Sequence, residues 1–209
     1  MARPREFDEE MVLEAAGKAF WSHGYEATST RDLAAVTGLT ASSLYAAFGD
    51  KETLFRRALD HYLAGTLHAR MQRLESGPSP AAAITGFFHE IIERSVGDRE
   101  MRGCMLVNAA VEASPGDSGF RDALGDELGH IEAFFRRCLL QAQQQGEIPH
   151  LESSSDEASH LLAVLLGIRV LARIKPERKL LTAAARQALK QLHLPPLPAT
   201  KTTRPARKP

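Results

Sequence analysis

Residues 24–54 read GYEATSTRDLAAVTGLTASSLYAAFGDKETL, and this stretch decides the class of fold. Hydroxyl residues precede two short segments with apolar residues at helical spacing, and a single glycine, Gly38, separates the segments. Hydroxyl side chains favour the starts of helices, and glycine favours their ends. We therefore predict one helix from Thr30 to Val36 and another from Ala41 to Ala47, capped by Thr30 and Thr40. Two short helices joined by such a turn form a helix-turn-helix, here at about residues 29–48.

The two faces of the second short helix differ in chemistry. The apolar positions of the stretch predict a small core made of Leu33, Ala34, Val36, Leu39, Leu44 and Phe48. The outer face is small and rich in hydroxyl groups, and it consists of Thr40, Ala41, Ser42, Ser43, Tyr45 and Ala46. Such a helix fits the major groove of DNA, about 12 Å wide, where hydroxyls reach base edges and phosphates. Lys51, at the start of the next helix, adds an ammonium group and backbone amides for a phosphate.

The rest of the chain is predicted to be helical. Glycine, proline and helix-capping residues divide it into about nine helical segments, with no alternation of period two, so the fold class is all-α. The segment Ser76-Gly77-Pro78-Ser79-Pro80 is the clearest linker. We predict a DNA-binding domain at 6–66, a C-terminal regulatory and dimerisation domain at 80–194, and a disordered basic tail at 195–209.

The same stretch strongly resembles the DNA-binding domain of the TetR (tetracycline-repressor) family of regulators. The family pattern runs roughly D-I-A-x-x-A-G-V-S and then S-L-Y-x-x-F-x-x-K-E-x-L, and this chain matches it with Ser43-Leu44-Tyr45, Phe48, Lys51-Glu52 and Leu54. The resemblance implies that Thr30, Tyr45 and Lys51 contact phosphates. It places Thr40, Ala41, Ser42 and Ser43 nearest the bases, with Arg31 in the same DNA-binding set. Arg3 and Arg5 are candidates for the minor groove.

The family resemblance implies a function as well as a fold. It implies a repressor that binds a palindromic operator as a homodimer, pairs through its last two helices, and is released by an unknown small-molecule effector or by thiol modification. No cofactor is expected. One difference concerns Ala46 and Ala47, because family members often carry a basic or aromatic residue after the tyrosine. An activator and an architectural DNA-binding protein are the alternatives within this class.

Residues 102–113 read RGCMLVNAAVEA and resemble the G-C-L-x-x-N-A-A-x-E segment of one subgroup of the family. Some members of that subgroup sense electrophiles or oxidants through the cysteine. A thiolate at a helix start is favoured by the helix dipole, and Arg102 adds positive charge, so Cys104 is a candidate sensor. The alternatives are a small packed residue, a thiol-dependent enzyme with a histidine base, and a cuprous site with Met101 and Met105. His61, His68 and His89 show no ligand spacing with Cys104.

Other features limit the partners and the location. The net charge is zero, with 26 basic and 26 acidic residues, although nine basic residues and one acid follow position 174.

The two cysteines, Cys104 and Cys138, predict no disulfide framework and no zinc site. No segment is long and apolar enough to predict a membrane span, so we expect a cytoplasmic protein. An apolar stripe on two of the helices is a candidate lining for a ligand cavity, with ordinary core packing as the alternative. It consists of Phe87, Phe88, Ile91, Phe134 and Phe135. The helix from Ser154 is apolar nearly all round, which fits either a central core helix or a subunit contact.

Overall fold

The computed structural model describes residues 7–114, 116 and 118–199. Within these residues the chain forms nine helices and no strand, which confirms the predicted all-α class. The helices are α1 (Glu9–His23), α2 (Thr30–Thr37), α3 (Ala41–Phe48), α4 (Lys51–Leu63, continued through a π-helical turn at Ala64–His68 into Ala69–Glu75), α5 (Pro80–Gly97), α6 (Met105–Glu112), α7 (Ser118–Gln144), α8 (Ser154–Ile174) and α9 (Arg178–Gln191).

The first three helices and the start of α4 form the DNA-binding head. α1 packs against α2 and α4, and α3 closes the small core. The buried side chains of this core include Val12, Phe20, Leu33, Leu44, Phe48, Leu54 and Phe55. One predicted inward position is wrong, because Val36 is 49% exposed. Helix α2 has only about two turns, and Leu33 is its one buried residue. The contacts of α2 are with α1 and α3, which leave the rest of the helix less covered.

The remaining helices form a second unit, which we call the body. α8 packs between α7 and α9, and α5 contacts α7, α8 and α9. The centre of the body is an aromatic cluster in which ring centroids lie 5.3–5.7 Å apart, formed by Phe87, Phe88, Phe134 and Phe135. Such offset and edge contacts add to the free energy gained by burial. The head joins this body where Phe55 of α4 meets Phe120 of α7, with ring centroids 5.5 Å apart.

The two sides of α8 have different surroundings. One side is buried in the core of this chain and carries Leu161, Leu165, Ile168 and Ala172. The other side carries Val170, which is 45% exposed, and Ile174, which is 76% exposed. The core-helix interpretation is therefore confirmed for the buried side, and the exposed apolar side leaves the subunit contact a prediction.

The packed part of the chain runs past the boundary predicted at Pro195. Leu194 is buried, Leu197 packs against the core, and the Thr85 hydroxyl donates to the Pro195 carbonyl at 2.8 Å. These contacts fix the chain a few residues beyond α9. The predicted basic tail from Lys201 and the predicted arm with Arg3 and Arg5 lie outside the described residues. No helix in the described part of the chain has the length and apolar character needed to cross a membrane.

Candidate nucleic-acid interface and regulatory segment

The start of α2 is capped by Ser29 and not by Thr30 as predicted. The Ser29 hydroxyl accepts from the Asp32 backbone N–H at 3.2 Å, and the Asp32 carboxylate accepts from the Ser29 N–H at 2.9 Å. These bonds form a capping box, and the hydrogen bonds from the Ser29 hydroxyl and amide lower the pKa of Asp32. Thr30 is thereby free for another contact. Its hydroxyl lies 2.5 Å from the Tyr45 hydroxyl of α3.

The predicted reading face lies on one exposed surface of α3. Thr40 caps the helix by accepting from the Ser43 N–H at 3.1 Å, as predicted. Its hydroxyl also lies 3.0 Å from the Ser42 hydroxyl and 2.9 Å from that of Ser43. Ala41, Ser42, Ser43 and Tyr45 are all exposed, whereas Leu44 and Phe48 are buried beneath them. Gly38 makes the turn before this helix with a positive φ of 71°, where a side chain would be strained.

The predicted phosphate-binding residues surround this face. The Lys51 ammonium lies 3.4 Å from the Glu26 carbonyl oxygen and 4.5 Å from the centre of the Tyr25 ring. Asp50 caps α4 by accepting from the Thr53 N–H at 2.7 Å, and the hydrogen bonds from Thr53 lower the pKa of Asp50. Arg31 is exposed in the first turn of α2. The structure therefore joins Thr30 to Tyr45, places Lys51 against Glu26 and Tyr25, and leaves Arg31 exposed.

The loop before α6 explains why residues 103–108 carry glycine and asparagine. Gly103 has a φ of 74°, and a Cβ there would lie 3.3 Å from the Arg173 Cβ. The Asn108 side-chain amide donates to the Arg102 carbonyl at 2.9 Å, which closes the loop onto α6. The Asp98 carboxylate accepts from the Arg102 N–H at 2.8 Å. These contacts fix the position of Cys104, which precedes the first residue of α6.

Cys104 lies in the wall of a small apolar cavity in the body. The cavity is about 40 Å³, and Phe87 and Ile91 also line it, whereas the predicted Phe88, Phe134 and Phe135 do not. The Arg102 guanidinium does not line this cavity and forms ion pairs with Asp98 at 3.1 Å and with Glu100 at 3.3 Å. The cations in the cavity wall are instead Arg70, Arg94 and Arg169. Sequence analysis missed these arginines because they belong to three helices that are far apart in the chain. The residues around each arginine do not indicate that it lines a cavity.

The far end of α6 contacts the head. The Glu112 carboxylate accepts from the Tyr25 N–H at 2.7 Å. Gly24 precedes Tyr25 with a φ of 89°, and a Cβ on Gly24 would lie only 2.5 Å from a Glu112 carboxylate oxygen. Glycine is therefore required at this contact for its backbone conformation and for space. Glu112 is the last residue of the segment that resembles the subgroup motif, yet its partner lies 87 positions earlier in the chain.

One group of side chains in the described part of the chain has the donors and spacing to hold a metal ion. It consists of His68, Glu127 and His130, whose ligand atoms lie within 4.8 Å of one another. The Glu127 carboxylate is 2.8 Å from His68 Nε2, so these groups already form a polar contact. Cys104, Met101 and Met105 do not belong to the group. Sequence analysis missed it because His68 and Glu127 are 59 positions apart.

The fold and the exposed hydroxyl-bearing helix define a helix-turn-helix DNA-binding regulator. Residues 12–58 match the family model described as bacterial regulatory proteins, tetR family. Residues 80–189 match the model described as tetracyclin repressor-like, C-terminal domain. The chain belongs to the TetR family of transcriptional regulators. The thiol-dependent enzyme considered from Cys104 is set aside, because the relatives of this chain are transcriptional regulators.

Two curated relatives and two solved structures illustrate this membership. The chain is 34% identical over 174 residues to the HTH-type transcriptional repressor ComR of Escherichia coli (strain K12), covering 82% of each chain. It is 35% identical over 148 residues to the uncharacterized HTH-type transcriptional regulator YezE of Bacillus subtilis (strain 168), covering 71% of this chain and 76% of that one.

The first of the solved structures is a triple cysteine mutant of the TetR family regulator CifR complexed with 26-bp double-strand operator DNA. It has 34% identity and a TM-score of 0.81, and the match covers 91% of this chain and 100% of that chain. The reduced form of NemR from E. coli has 19% identity and a TM-score of 0.80 over 93% of this chain and 100% of that chain, which shows a shared fold.

The two cysteines are expected to differ sharply in reactivity. Cys138 is 1% exposed, and burial raises the pKa of its thiol to about 12, so it stays protonated and shielded at pH 8. Cys104 is partly exposed. Titration of the native protein with a thiol-reactive chromophore at pH 8 should modify one thiol per chain rapidly. Cys104→Ser should abolish that phase and Cys138→Ser should leave it. Two fast thiols, or a fast phase in Cys104→Ser, would contradict this assignment.

Proposed function

We propose that this protein is a repressor that binds a palindromic operator as a homodimer through the exposed face of α3. The observation that carries the proposal is the surface of α3 itself. Its solvent-facing residues are all small up to Tyr45, and two buried residues, Leu44 and Phe48, hold it to the head. A helix with such a surface enters the major groove without steric conflict. Such a regulator acts where the chromosome lies, in the cytoplasm.

The proposed contacts divide into base-reading and phosphate-binding groups. Thr40, Ala41, Ser42 and Ser43 face the bases, where hydroxyls accept or donate hydrogen bonds and a methyl group contacts thymine. Thr30, Arg31, Tyr45 and Lys51 bind phosphates beside the groove. The hydrogen bond between the Thr30 and Tyr45 hydroxyls uses one of their two protons, so the other hydroxyl proton is available to a phosphate oxygen. Because few cations are involved, operator affinity should fall only gradually with added salt.

A bulky residue on the reading face should abolish operator binding. Ser42→Trp places an indole where α3 would approach the bases, and we expect operator affinity to fall at least about 100-fold, roughly 2.8 kcal/mol. The control is Ser76→Trp, at an exposed serine just after α4 and remote from α3. Gel shift with the DNA upstream of the protein's own gene measures both. Wild-type affinity in Ser42→Trp, with its helical content unchanged, would refute the proposed reading face.

The proposed dimer interface is the uncovered apolar side of α8 together with α9. Leu166, Val170 and Ile174 repeat at intervals of four residues, which places them along one side of the helix. At Gly167, on the same helix, an added Cβ would meet no atom within 4 Å, so the surface is open to a second helix. Two copies of α8 and α9 related by a two-fold axis would form a four-helix bundle. This geometry sets two α3 helices on successive major grooves.

A charge in that surface should separate the subunits. Val170→Glu would bury two carboxylates at the two-fold contact, and burial of unpaired charge is strongly unfavourable. We expect the mutant to elute as a monomer of 22.9 kDa, and the wild type at twice that mass, in size exclusion with light scattering. Val111→Glu is the matched control, because Val111 is 79% exposed on α6. A wild-type monomer, or a dimeric Val170→Glu variant, would rule out this interface.

The proposed release mechanism runs through α6. We assign the chain to the subgroup with the G-C-x-x-x-N-A-A segment, in which Cys104 receives the electrophile or oxidant. The cavity beside Cys104 has a volume of only about 40 Å³, so an adduct that enters it would displace the surrounding helices. α6 has only eight residues, about 12 Å, and carries Cys104 at one end and Glu112 at the other. Displacement of α6 therefore shifts the Glu112 contact with the head.

Alkylation of Cys104 should release the operator. With iodoacetamide, we expect the wild-type protein to lose about tenfold or more in operator affinity, within the usual range of coupling between two sites. Cys104→Ser should keep its affinity under the same treatment, and Cys138→Ser should behave as the wild type. Mass spectrometry confirms the modified residue. Full operator binding by protein alkylated at Cys104 would exclude the thiol route and leave a noncovalent effector.

A further inference from the structure

A second cavity lies where the head meets the body, and the proposed function does not use it. This interdomain cleft has a volume of about 350 Å³ and lies between α1, α5, α8 and the loop before α6. Its lining includes Trp21, Arg94, Ser95, Arg102, Gly103 and Arg169. It is distinct from the smaller apolar cavity with Cys104, although Arg94 and Arg169 belong to the walls of both.

Arg169 of α8 is a buried cation without a counterion among the described residues. Its side chain is 5% exposed, Nη1 donates to the Ser95 hydroxyl at 2.9 Å, and Nη2 donates to the Gly103 carbonyl. Both partners are neutral, and Nε has no hydrogen-bond partner within the described residues. No carboxylate in the described part of the chain forms an ion pair with Arg169. Burial of a charge is unfavourable unless an opposite charge and hydrogen bonds compensate it.

Trp21 of α1 supplies a second unsatisfied donor beside the same cleft. The tryptophan is 8% exposed, and its indole Nε1 lacks a hydrogen-bond partner. Among the described residues, Trp21 Nε1 and Arg169 Nε are the two buried side-chain polar atoms without a partner. Buried donors are nearly always satisfied by protein, water or ligand. Both residues belong to the lining of the interdomain cleft, so a molecule with acceptor atoms bound there would lie beside two donors that the described residues leave unsatisfied.

The charge balance of the cleft favours a single negative charge. Asp98 lines the cleft, but it is bonded to Arg102, which also pairs with Glu100 and lies 4.2 Å from the centre of the Trp21 ring. Arg94 is exposed at the edge, 5.8 Å from the same ring, and water can solvate it. The uncompensated buried charge is thus that of Arg169 alone.

We propose that the interdomain cleft binds a short-chain organic carboxylate. Its two oxygen atoms would accept from the Arg169 guanidinium and the Trp21 indole, and its chain would lie along the Trp21 ring and Ala172. A carboxylate carries the single charge that Arg169 requires, and arginine binds it well because of its planar donor geometry. The ligand would bridge α1 of the head to α8 of the body. Its effect on operator affinity rests on the proposed function, whereas its binding does not.

Fluorescence of the full-length protein tests the binding directly. Trp21 is the sole tryptophan in the chain, so its emission reports on the cleft without a background. Titration with butyrate should change the emission saturably, and the neutral analogue butyramide should bind at least tenfold more weakly. Equal affinity for the two compounds, or no saturable change with butyrate, would overturn the proposal. Binding of inorganic phosphate in place of butyrate would overturn the choice of a carboxylate.

Matched variants test the assignment of Arg169. Arg169→Gln removes the buried charge and should weaken butyrate binding at least tenfold. Arg99→Gln removes one charge from a nearby exposed position outside the cleft lining and should leave binding unchanged. Should Arg169→Gln fail to fold, Trp21→Phe keeps an aromatic ring but removes the indole donor, and calorimetry should show at least threefold weaker binding. If Arg169→Gln, or Trp21→Phe in its place, binds butyrate as tightly as Arg99→Gln does, the proposed site is wrong.

Operator affinity distinguishes this proposal from the proposed function. Butyrate at saturation should change the operator affinity of the wild type about fivefold or more, and should leave Arg169→Gln unaffected. Loss of operator binding altogether, in the absence of butyrate, would contradict the proposed function and not the cleft. A normal fluorescence titration with unchanged operator affinity would refute the regulatory role of the carboxylate.

Discussion

The hydrogen bond between the Tyr25 backbone N–H and the Glu112 carboxylate, 2.7 Å long, connects the two halves of this regulator. It joins the turn after α1 to the last residue of α6, and it exists only because Gly24 has no side chain to occupy that space. Lys51 lies over the Tyr25 ring, so the same turn also positions a proposed phosphate-binding residue. Any movement of α6 therefore acts on the DNA-binding head through a short, direct path.

The two ends of α6 have different contacts, with the body at the start and with the head at the end. Near its start, Arg169 donates to the Gly103 carbonyl, Asn108 closes the loop, and Cys104 lines a cavity of about 40 Å³. At its end, a carboxylate binds the head. Because protein interiors are close-packed, a helix of eight residues fixed at both ends transmits a displacement instead of absorbing it. In the two proposals above, the thiol and the interdomain cleft would act separately on this one helix.

Local signals predicted the helices well and individual positions less well. The capping and periodicity rules predicted about nine helical segments, and the described residues form nine helices. The rules also predicted the turn at Gly38 and the Thr40 cap. They assigned the α2 cap to Thr30 because Ser29 and Thr30 are both good caps, and only the Asp32 side chain, three residues beyond Ser29, distinguishes them. Val36 was wrongly placed in the core, since helical spacing predicts a face but not how much of that face the neighbours cover.

The sequence by itself determined the all-α class, the helix-turn-helix and the family, because each depends on residues close together in the chain. The tertiary structure alone brought Arg169 to Ser95 and Gly103, and Glu112 to Tyr25, across separations of 66 to 87 positions. Such pairs depend on how amphipathic helices pack, and the spacing of residues along one helix does not specify its neighbour. For the same reason, only the folded chain revealed that Arg169 is buried with no counterion in the part of the chain that the structure describes.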